Sequence, residues 1–294
     1  MKYKVDVDDV RLDNYLTKVL EKNRSQITKM IKNGEVLLNG KTSKPGYLVK
    51  KDDVVLVNYE EEDTNVLPEK IDLDIVYEDD DVIVVNKPNG MVVHPAPGNY
   101  HGTLVNGLLY HGKLSDKNGE FRPGIVHRID AYTTGLLMVA KNNKAHEILA
   151  KELEEKKTYR KYVALVWGVI KEDSGEIDAP IGRSDNDRKK MAVTATGKKA
   201  ITYFKVLKRY KNATLIELKL KTGRTHQIRV HMDYINHPVV NDPVYGRRKL
   251  IDESGQCLHA KSLGFVHPVS GKYMEFDSQL PEKFLNILKY FEEE

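Results

Sequence analysis

The sequence predicts an α+β protein in which a small helix–helix–hairpin domain precedes a large domain built on a mainly antiparallel, mixed sheet. Three observations support this prediction. The first 60 residues contain two apolar patterns with helical spacing and an Asn-Gly turn, and an acidic run follows them. The rest of the 294-residue chain holds more strand patterns than helix patterns, in mixed order. We place the domains at residues 1–60 and 71–294, with a linker at 61–70.

Composition excludes several classes of protein. With 40% apolar and 31% charged residues the chain can bury a sizeable core, and its net charge of +4 is too small for a non-specific nucleic-acid binder. The single cysteine, Cys257, excludes an intramolecular disulfide framework and a cysteine-based zinc cluster. No stretch approaches the roughly 18 apolar residues of a membrane span. We therefore expect a soluble, cytoplasmic protein with no membrane partner.

The first domain begins with two short helices. Apolar residues recur at helical spacing from Leu12 to Leu20, and a second helix is predicted to open at Ser25 and to end at Asn33-Gly34. The dipeptide Asn39-Gly40, which follows an apolar run, is typical of a tight hairpin turn.

Basic residues cluster in this domain. Between Lys22 and Lys51 the sequence has eight basic residues and one acidic residue, Glu35. A solvated, lysine-rich helix face is one interpretation, but clustering around both the second helix and the hairpin favours phosphate binding. The predicted RNA-binding residues are Lys22, Arg24, Lys29, Lys32, Lys41 and Lys44.

The segments RLDNYL, SQITKMIKNGEVLLNGK and KPGYLVKKDDVV together resemble the S-four RNA-binding domain over nearly all of residues 11–59. The resemblance implies structured RNA as a partner and fixes no reaction. The acidic run Glu60–Asp63 and Pro68 then indicate a linker that would repel RNA phosphates.

The large domain opens with two predicted strands, Ile71–Val76 and Val82–Val85, separated by the acidic turn Glu78–Asp81. Consecutive acidic residues in a turn are usually solvated, so we do not predict a metal site there. A tight turn then presents Lys87, and a helix is predicted to begin near Thr103.

The histidines of the next segment, His94, His101 and His111, have spacings that fit no zinc motif. No strand is followed by a G-x-S-x-G, P-loop or G-x-G-x-x-G motif. The sequence therefore gives no support for a serine hydrolase, a nucleoside triphosphatase or a dinucleotide enzyme, and predicts neither a metal nor a cofactor.

The stretch Gly124–Lys141 places a carboxylate in a turn between two apolar runs. Asp130 follows Arg128 by two residues and precedes Thr133-Thr134-Gly135. Taken alone, such an Asp is most simply a turn cap paired with the neighbouring arginine. A rigidly held carboxylate beside a guanidinium is also a candidate catalytic group.

Elements beyond this stretch supply possible partners. A helix capped by Asn143 leads to the strand pattern YRKYVALVWGVI, in which Tyr162 faces away from the buried Val163. A tyrosine in such a strand is more often a core residue than a catalytic one. The polar loop Pro180–Val193 carries Arg183 and predicts a second phosphate-binding patch.

A strand ending near Leu220 is followed by a helix that we expect Thr225 to cap. Its predicted buried stripe contains Ile228 and Met232, with Arg229 off the stripe. Arginine suits a site of this kind because its planar fork pairs with a carboxylate or a phosphate.

Three long segments, HRIDAYTTGLLMVAK, RKYVALVWG and LKTGRTHQIRVHM followed by HPVVNDPVYG, resemble the RluA/RluD family of RNA pseudouridine synthases in order and spacing. With the S-four segments, the resemblance covers essentially the whole chain. It implies isomerisation of uridine to pseudouridine without a metal or a cofactor. Ala131 and Tyr132 depart from the family pattern, which has Lys-Asp at these positions.

The resemblance also implies roles for individual residues. Asp130 would be the essential carboxylate, Tyr162 would stack on the flipped uracil, and Arg229 would pair with Asp130. Arg128 would fill the position that the base vacates in the RNA stack. The implied substrate-binding residues are His127, Arg128, Thr134, Arg183, Arg224, His226 and Gln227.

Two alternatives remain open at this point. The first is a non-catalytic RNA-binding or ribosome-assembly factor that uses only the S-four segment and the basic loops. The second is a synthase that modifies transfer RNA. We favour uridines of large-subunit ribosomal RNA as the substrate and take a monomer as the default.

Overall fold

The structure is a computed structural model that describes residues 1–58, 65–96, 98–188, 190–248 and 250–293. The chain divides into two compact units, Met1–Thr64 and Asn65–Glu294. The acidic run Glu60–Asp63 lies outside the described residues, as does part of the predicted linker. Within the described residues, no helix combines the length and apolar character needed to cross a membrane.

The first unit packs two helices on short strands. Its elements are β1 (Lys2–Lys4), β2 (Val10–Arg11), α1 (Leu12–Leu20), α2 (Arg24–Lys32), β3 (Val36–Leu38), β4 (Lys41–Thr42), β5 (Leu48–Val49) and β6 (Val54–Val57). Four strands form a sheet in the order β1-β6-β3-β4, and β2 pairs with β5. The helix–helix–hairpin prediction is therefore confirmed.

Local chemistry explains the boundaries of these elements. The Asn23 side chain accepts a hydrogen bond from the Gln26 N–H, and the Gln26 side chain accepts one from the Asn23 N–H, so the second helix begins one residue before the predicted Ser25. Asn39 and Gly40 both have positive φ, 50° and 80°, as the two-residue turn between β3 and β4 requires.

The second unit is built on a nine-stranded sheet. Its elements are β7 (Ile75–Glu78), β8 (Val82–Lys87), α3 (Leu104–His111), β9 (Thr134–Ala140), α4 (Asn143–Glu154), β10 (Tyr159–Trp167), β11 (Ser174–Asp178), β12 (Ile181–Arg183), β13 (Met191–Val193), β14 (Ile201–Arg209), β15 (Ala213–Leu220), α5 (Gln227–Tyr234), β16 (Leu258–Val266), β17 (Tyr273–Asp277) and α6 (Glu282–Glu293). The strand order is β11-β14-β15-β10-β16-β9-β8-β7, and β17 also pairs with β16. Only β9 and β16 pair in parallel among the described strands of this sheet, so the prediction of a mainly antiparallel mixed sheet is confirmed.

Two strand predictions were wrong. The first strand of the large domain covers Ile75–Glu78 instead of Ile71–Val76, because Ile71 and Leu73 pack against Gly107 of α3. Residues 180–193 form the hairpin of β12 and β13 in addition to a polar turn. Most of its strand residues are half-buried, so the sequence shows too weak an alternation of apolar and polar residues to predict the hairpin.

Two helix caps also differ from the prediction. Asn142, one residue before the expected Asn143, caps α4 by accepting from the Ala145 N–H. The helix α5 begins at Gln227, and Thr225 does not cap it. His226 occupies the N-cap position in a left-handed conformation with φ of 56° and makes no capping hydrogen bond.

The central strand β10 is covered on both faces. Tyr162 belongs to the core that contains Ile228 and Met232 of α5, whereas Val163 packs with Phe284 and Ile287 of α6. The predicted opposite facing is confirmed, and both side chains are buried because each face has its own helix. Tyr162 is thereby fixed beside α5.

Candidate active site

The segment that carries Asp130 is held from both sides. The Thr133 N–H donates to the Asp130 carbonyl at 3.0 Å, closing the turn. Gly135 follows with φ of +110°, and a Cβ added there would lie 2.3 Å from the Ala260 carbonyl oxygen. Only glycine allows β9 to approach β16 so closely at this point.

Two lysines donate hydrogen bonds to backbone carbonyls of the same turn. The Lys87 ammonium is buried and donates to the carbonyls of Pro88, Met91 and Ala131, the last at 2.7 Å. Burial lowers the pKa of Lys87 to about 7, and Lys283 acts in the same direction. Lys283 of α6 donates to the carbonyl of Tyr132 at 3.4 Å. Ala131 and Tyr132 are therefore tied to the fold through their backbone carbonyls.

Arg229 joins two carboxylates. Its Nη1 donates to Asp130 Oδ2 at 2.9 Å, while Nε and Nη2 donate to the two oxygens of Asp242 at 2.6 and 2.8 Å. Arg229 is only 4% exposed, although the sequence pattern had placed it off the buried stripe of α5, and that placement was wrong. The bidentate pair fixes the guanidinium plane and leaves Nη1 for Asp130.

Asp242, which holds Arg229 in place, was not among the site residues predicted from the sequence. It is fully buried and also accepts from the backbone N–H groups of Val244 and Tyr245. Burial opposes ionisation, but the hydrogen bonds from Arg229 lower the pKa of this carboxyl below its usual value. Its position within the segment HPVVNDPVYG was the signal that could have identified it.

His226 lies on the other side of Asp130. Its Nε2 is 3.7 Å from Asp130 Oδ1, and its Nδ1 is 2.8 Å from the Tyr245 hydroxyl. That hydroxyl accepts from the Met191 N–H, so its hydrogen is available to His226 Nδ1. Burial lowers the pKa of His226, which favours a neutral imidazole.

Tyr162 presents a free hydroxyl at the site. Its side chain is buried, and the hydroxyl makes no hydrogen bond to another described residue. Burial raises the pKa of Tyr162, so the phenol is neutral at physiological pH. The hydroxyl, which keeps its proton, is therefore free to donate a hydrogen bond to a ligand in the cavity that Tyr162 lines.

Asp130, Tyr162, His226 and Arg229 line one cavity of about 550 Å³. The sequence-predicted site residues that line it are His127, Arg128, Asp130, Tyr162, Arg224, His226, Gln227 and Arg229. Thr134 and Arg183 do not line it. The structure therefore brings together most of the predicted residues, although they come from separate parts of the chain.

Thr134 and Arg183, the two predicted residues outside the cavity, contact other parts of the second unit. Thr134 is buried behind the turn, where its hydroxyl lies 2.8 Å from His259 Nδ1. Arg183 is exposed on the β12–β13 hairpin, and its Nη1 donates to the Arg188 carbonyl at 3.1 Å. Thr134 thus links the end of the Asp130 turn to His259 of β16. Arg183 remains a candidate for contact with a large ligand outside the cavity.

Two of the cavity residues have evident structural roles. His127 Nε2 accepts from the Met138 N–H at 3.1 Å, and burial lowers the pKa of His127 to about 3. Gln227 donates to Ile201 and Thr202 and accepts from Thr222, which fixes the start of α5 against β14. Both residues hold the walls of the cavity in place.

Arg128 stands apart because it is exposed. Its Nη1 lies 3.3 Å from His94 Nε2, and it forms no ion pair with another described residue. Its neighbour Asp130 is paired with Arg229, so the local ion pair that is the simplest interpretation of the sequence does not form.

The acidic turn is organised by hydrogen bonds. Among the described residues, the group with the spacing of metal ligands is Asp79, Asp81 and His267. Asp79 already accepts from the N–H groups of Asp81 and Val82, from the Tyr77 hydroxyl and from His267. Its lone pairs are therefore engaged in holding the turn.

In the first unit, five of the six predicted RNA-binding residues have exposed side chains: Arg24, Lys29, Lys32, Lys41 and Lys44. Lys22 is half-buried. Arg24 also binds the buried carboxylate of Asp13 at 3.1 Å, which Arg11 binds as well. Arg24 therefore stabilises the fold of this unit, while Lys29, Lys32, Lys41 and Lys44 remain available to an anionic partner.

Comparisons with known proteins found relatives along the chain. The profile described as RNA pseudouridylate synthase matches residues 81–234, and the S4 domain profile matches residues 10–55. An uncharacterized RNA pseudouridine synthase, YlyB of Bacillus subtilis, is 54% identical over 95% of this chain and 93% of its own. The ribosomal large subunit pseudouridine synthase D of Pseudomonas aeruginosa is 43% identical over 95% of this chain and 91% of its own.

A solved structure has a similar fold. Human RNA pseudouridylate synthase domain containing 1 aligns with a TM-score of 0.57 at 24% identity, covering 80% of this chain and 98% of its own. At this identity the likeness concerns the fold alone.

Proposed function

The chain belongs to the RNA pseudouridylate synthase family, and from this premise we propose that it converts specific uridines of large-subunit ribosomal RNA to pseudouridine. Relatives named ribosomal large subunit pseudouridine synthase D support this choice of substrate. The observation that carries the proposal is the ion pair of Asp130 with Arg229 in a cavity that Tyr162 also lines.

The reaction needs no external reactant. The bond between N1 of the uracil and C1′ of the ribose breaks, the base turns, and a bond forms between C5 and C1′. C5 loses a proton and N1 gains one, so the product is an isomer of the substrate. Asp130 acts as the nucleophile or as the base at the sugar, and Tyr162 stacks on the uracil and exchanges a proton with it.

The target base reaches the cavity by flipping out of the RNA stack. Asp130 has only a fifth of its side-chain surface exposed, so a base stacked within a helix cannot reach it. We propose that the exposed Arg128 enters the vacated position in the stack. Arg229 Nη1 holds Asp130 Oδ2 at 2.9 Å, which fixes the position of the carboxylate within the cavity.

The test is to incubate the full-length protein with transcripts of large-subunit ribosomal RNA and of transfer RNAs, followed by chemical mapping of pseudouridine. We expect new pseudouridine in the ribosomal transcript. We expect none with Asp130→Asn, whose thermal unfolding should stay close to the wild type because an amide oxygen can still accept from Arg229 Nη1 and Asp242 still balances the charge of Arg229. Asp173→Asn is the matched control, since that side chain is 90% exposed.

The other outcomes have distinct meanings. Pseudouridine in the transfer RNA alone would reassign the substrate and keep the chemistry. RNA retention without any product, unchanged by Asp130→Asn, would favour a non-catalytic assembly factor and contradict the proposal. The cytoplasmic location, the monomeric state and the domain boundaries remain predictions.

A further inference from the structure

The cavity extends beyond the groups that the reaction uses. At the end formed by the C-terminal part of α4, the start of β10 and the segment after β15, it is lined by Lys156, Arg160, Lys221 and Arg224. We call these four residues the basic end of the cavity. Glu154 also lines this region, and none of the four cations forms an ion pair with another described residue.

Arg160 is the most confined of the four. It lies two residues before Tyr162 on β10, and both side chains line the cavity. Its Nη1 lies against the backbone of Gly223, where an added Cβ would come within 3.3 Å. Its Nε is buried and has no hydrogen-bond partner among the described residues. A buried donor without an acceptor is costly, so a ligand that supplies one would bind favourably here.

A second donor points to the same conclusion. His127 also lines the cavity, and because its Nε2 accepts from Met138, its Nδ1 carries the hydrogen. This Nδ1 is likewise buried without a partner. Arg160 lies close enough to His127 for its charge to contribute, after burial, to lowering the pKa of that histidine. The region thus offers two unpartnered donors and an excess of positive charge.

We propose that the basic end binds a phosphodiester of the RNA strand next to the flipped uridine, with Arg160 as the principal ligand. Uracil is neutral, so its carbonyl groups would not balance four cations, whereas a phosphate accepts two parallel hydrogen bonds from a guanidinium. This inference rests on the proposed function, because it assumes that the base occupies the part of the cavity beside Asp130 and Tyr162.

The consequence is a fixed distance between the bound phosphate and the flipped base along the RNA. Arg160 would hold the phosphate and Tyr162 the base, and both residues lie on the same rigid β-strand, β10, two positions apart. Only a nucleotide whose backbone spans these two positions would place its sugar at Asp130. Arg160 would therefore influence the rate of the reaction as well as the affinity for RNA.

The experiment uses RNAs that contain the uridine mapped with the wild-type protein. In each RNA one phosphodiester near this uridine is replaced by a neutral methylphosphonate, and kcat/KM is measured with full-length protein. At one position we expect the replacement to lower the wild-type kcat/KM by about 10- to 100-fold. Arg160→Gln should show a similar loss on unmodified RNA and no further loss on that methylphosphonate RNA.

Two further variants complete the test. Arg160→Lys, which keeps the charge, should recover part of the rate and part of the sensitivity to the methylphosphonate. Arg248→Gln, an exposed arginine outside the cavity that lies over Trp167, should behave as the wild type. Thermal unfolding of each variant separates loss of fold from loss of contact, and Arg160→Lys carries the comparison if Arg160→Gln does not fold.

The inference is overturned if methylphosphonates at every neighbouring position slow the wild type and the Arg160 variants equally. A wild-type protein that forms pseudouridine but shows no sensitivity at any position also overturns it, while leaving the proposed function intact. Failure of the wild type to form pseudouridine in any RNA contradicts the proposed function itself.

Discussion

Arg229 is oriented by a residue that does not line the cavity. Asp242 engages Nε and Nη2 of the guanidinium, and the rigid plane then directs Nη1 toward Asp130. Both Arg229 and Asp242 are almost fully buried, so water cannot replace either partner. The position of Asp130 therefore depends on a second carboxylate deeper in the fold.

We expect Asp242→Asn to lower both stability and activity. An amide offers one oxygen where the carboxylate offered two, so the buried arginine loses half of its bidentate pair and its matching charge. Breaking a buried ion pair costs about 3–5 kcal/mol. Denaturant unfolding should show a loss approaching this size, and the rate of pseudouridine formation should fall with it.

Asp233→Asn is the matched control for that substitution. Asp233 also pairs with an arginine, Arg247, but the arginine side chain is 57% exposed. Surface pairs contribute about 0–1 kcal/mol. Equal effects of the two substitutions on unfolding and on activity would contradict the positioning role of Asp242.

His259 makes stability depend on pH. Burial lowers its pKa to about 4, and Lys261 acts in the same direction. In the unfolded chain this histidine binds a proton below its usual pKa of about 6.5, whereas the folded protein does not until about pH 4. The unfolded state therefore binds more protons in this window, and the free energy of unfolding should fall by up to about 1.4 kcal/mol for each pH unit of acidification.

The measurement is denaturant unfolding at a series of pH values between these limits, for the wild type and His259→Gln. Glutamine retains groups that can bind Thr134 and Ser278 but does not titrate. The variant should show a shallower dependence, although His127 and other buried histidines will keep some slope. Identical slopes would exclude His259 as a source of the dependence.

The turn after Asp130 is held in place by contacts from two other secondary-structure elements, most of them to its backbone. The turn after Asp130 reaches β8 through Lys87 and α6 through Lys283, and Tyr132 packs against Gly255. A Cβ added at Gly255 would lie 2.5 Å from Tyr132 Cβ. The fold therefore accommodates Tyr132 by having glycine opposite its side chain.

We expect Lys87→Met to destabilise the protein and to reduce its activity. The substitution removes the donor shared by the carbonyls of Pro88, Met91 and Ala131. Each buried acceptor left without a partner costs about 1–3 kcal/mol, and the freed Ala131 carbonyl adjoins Asp130. Thermal unfolding and single-turnover rates on ribosomal RNA would measure the two effects.

Lys144→Met is the control for Lys87, because Lys144 is exposed on α4. It should leave unfolding and rate close to the wild type. If Lys87→Met unfolded at the wild-type temperature and kept the wild-type rate, the three hydrogen bonds would have no role in holding the turn.

Elements with strong periodicity could be predicted from the sequence, and those set by distant contacts could not. Leu12, Leu16, Ile27 and Ile31 are all buried as their spacing indicated, since short helices that pack on one side carry a clear apolar stripe. The start of α5 could not be predicted, because the left-handed conformation of His226 depends on its surroundings in the fold. The spacing of apolar residues along the chain carries no information about contacts with residues far away in sequence.

The candidate site shows the same division. Asp130, Tyr162 and Arg229 were found because they stand in long family segments, and the structure brings all three to one cavity. Arg160 and Asp242 stand in the same segments, but the role of Asp242 depends on its ion pair with Arg229, and that of Arg160 on a buried Nε without an acceptor. A charged residue is predicted to be exposed unless its partner is known.

The small net charge of the chain hides a local concentration of basic residues in the first unit. The net charge is +4, yet the cluster between Lys22 and Lys51 has eight basic residues and one acidic residue. Exposed acidic residues elsewhere in the chain offset this excess in the sum. Association with RNA depends on the local field, which acts over roughly 10 Å at physiological salt.

We expect the lysines of the first unit to contribute much of the salt dependence of RNA binding. The variant replaces Lys29, Lys32, Lys41 and Lys44 by glutamine in the full-length protein. Each phosphate contact releases counterions and contributes about 0.7–0.9 to the slope of log K against log salt, so the variant should bind more weakly and with a shallower slope. Filter binding to ribosomal RNA across a range of salt concentrations measures both quantities.

A control with the same net charge separates position from total charge. It replaces four exposed lysines of the second unit: Lys171, Lys205, Lys272 and Lys289. If the four lysines of the first unit contact phosphates, the control should keep most of the wild-type slope, because charges away from the interface are screened by salt. Equal slopes for the two variants would mean that the RNA responds to total charge alone, and would contradict the role predicted for the S-four unit.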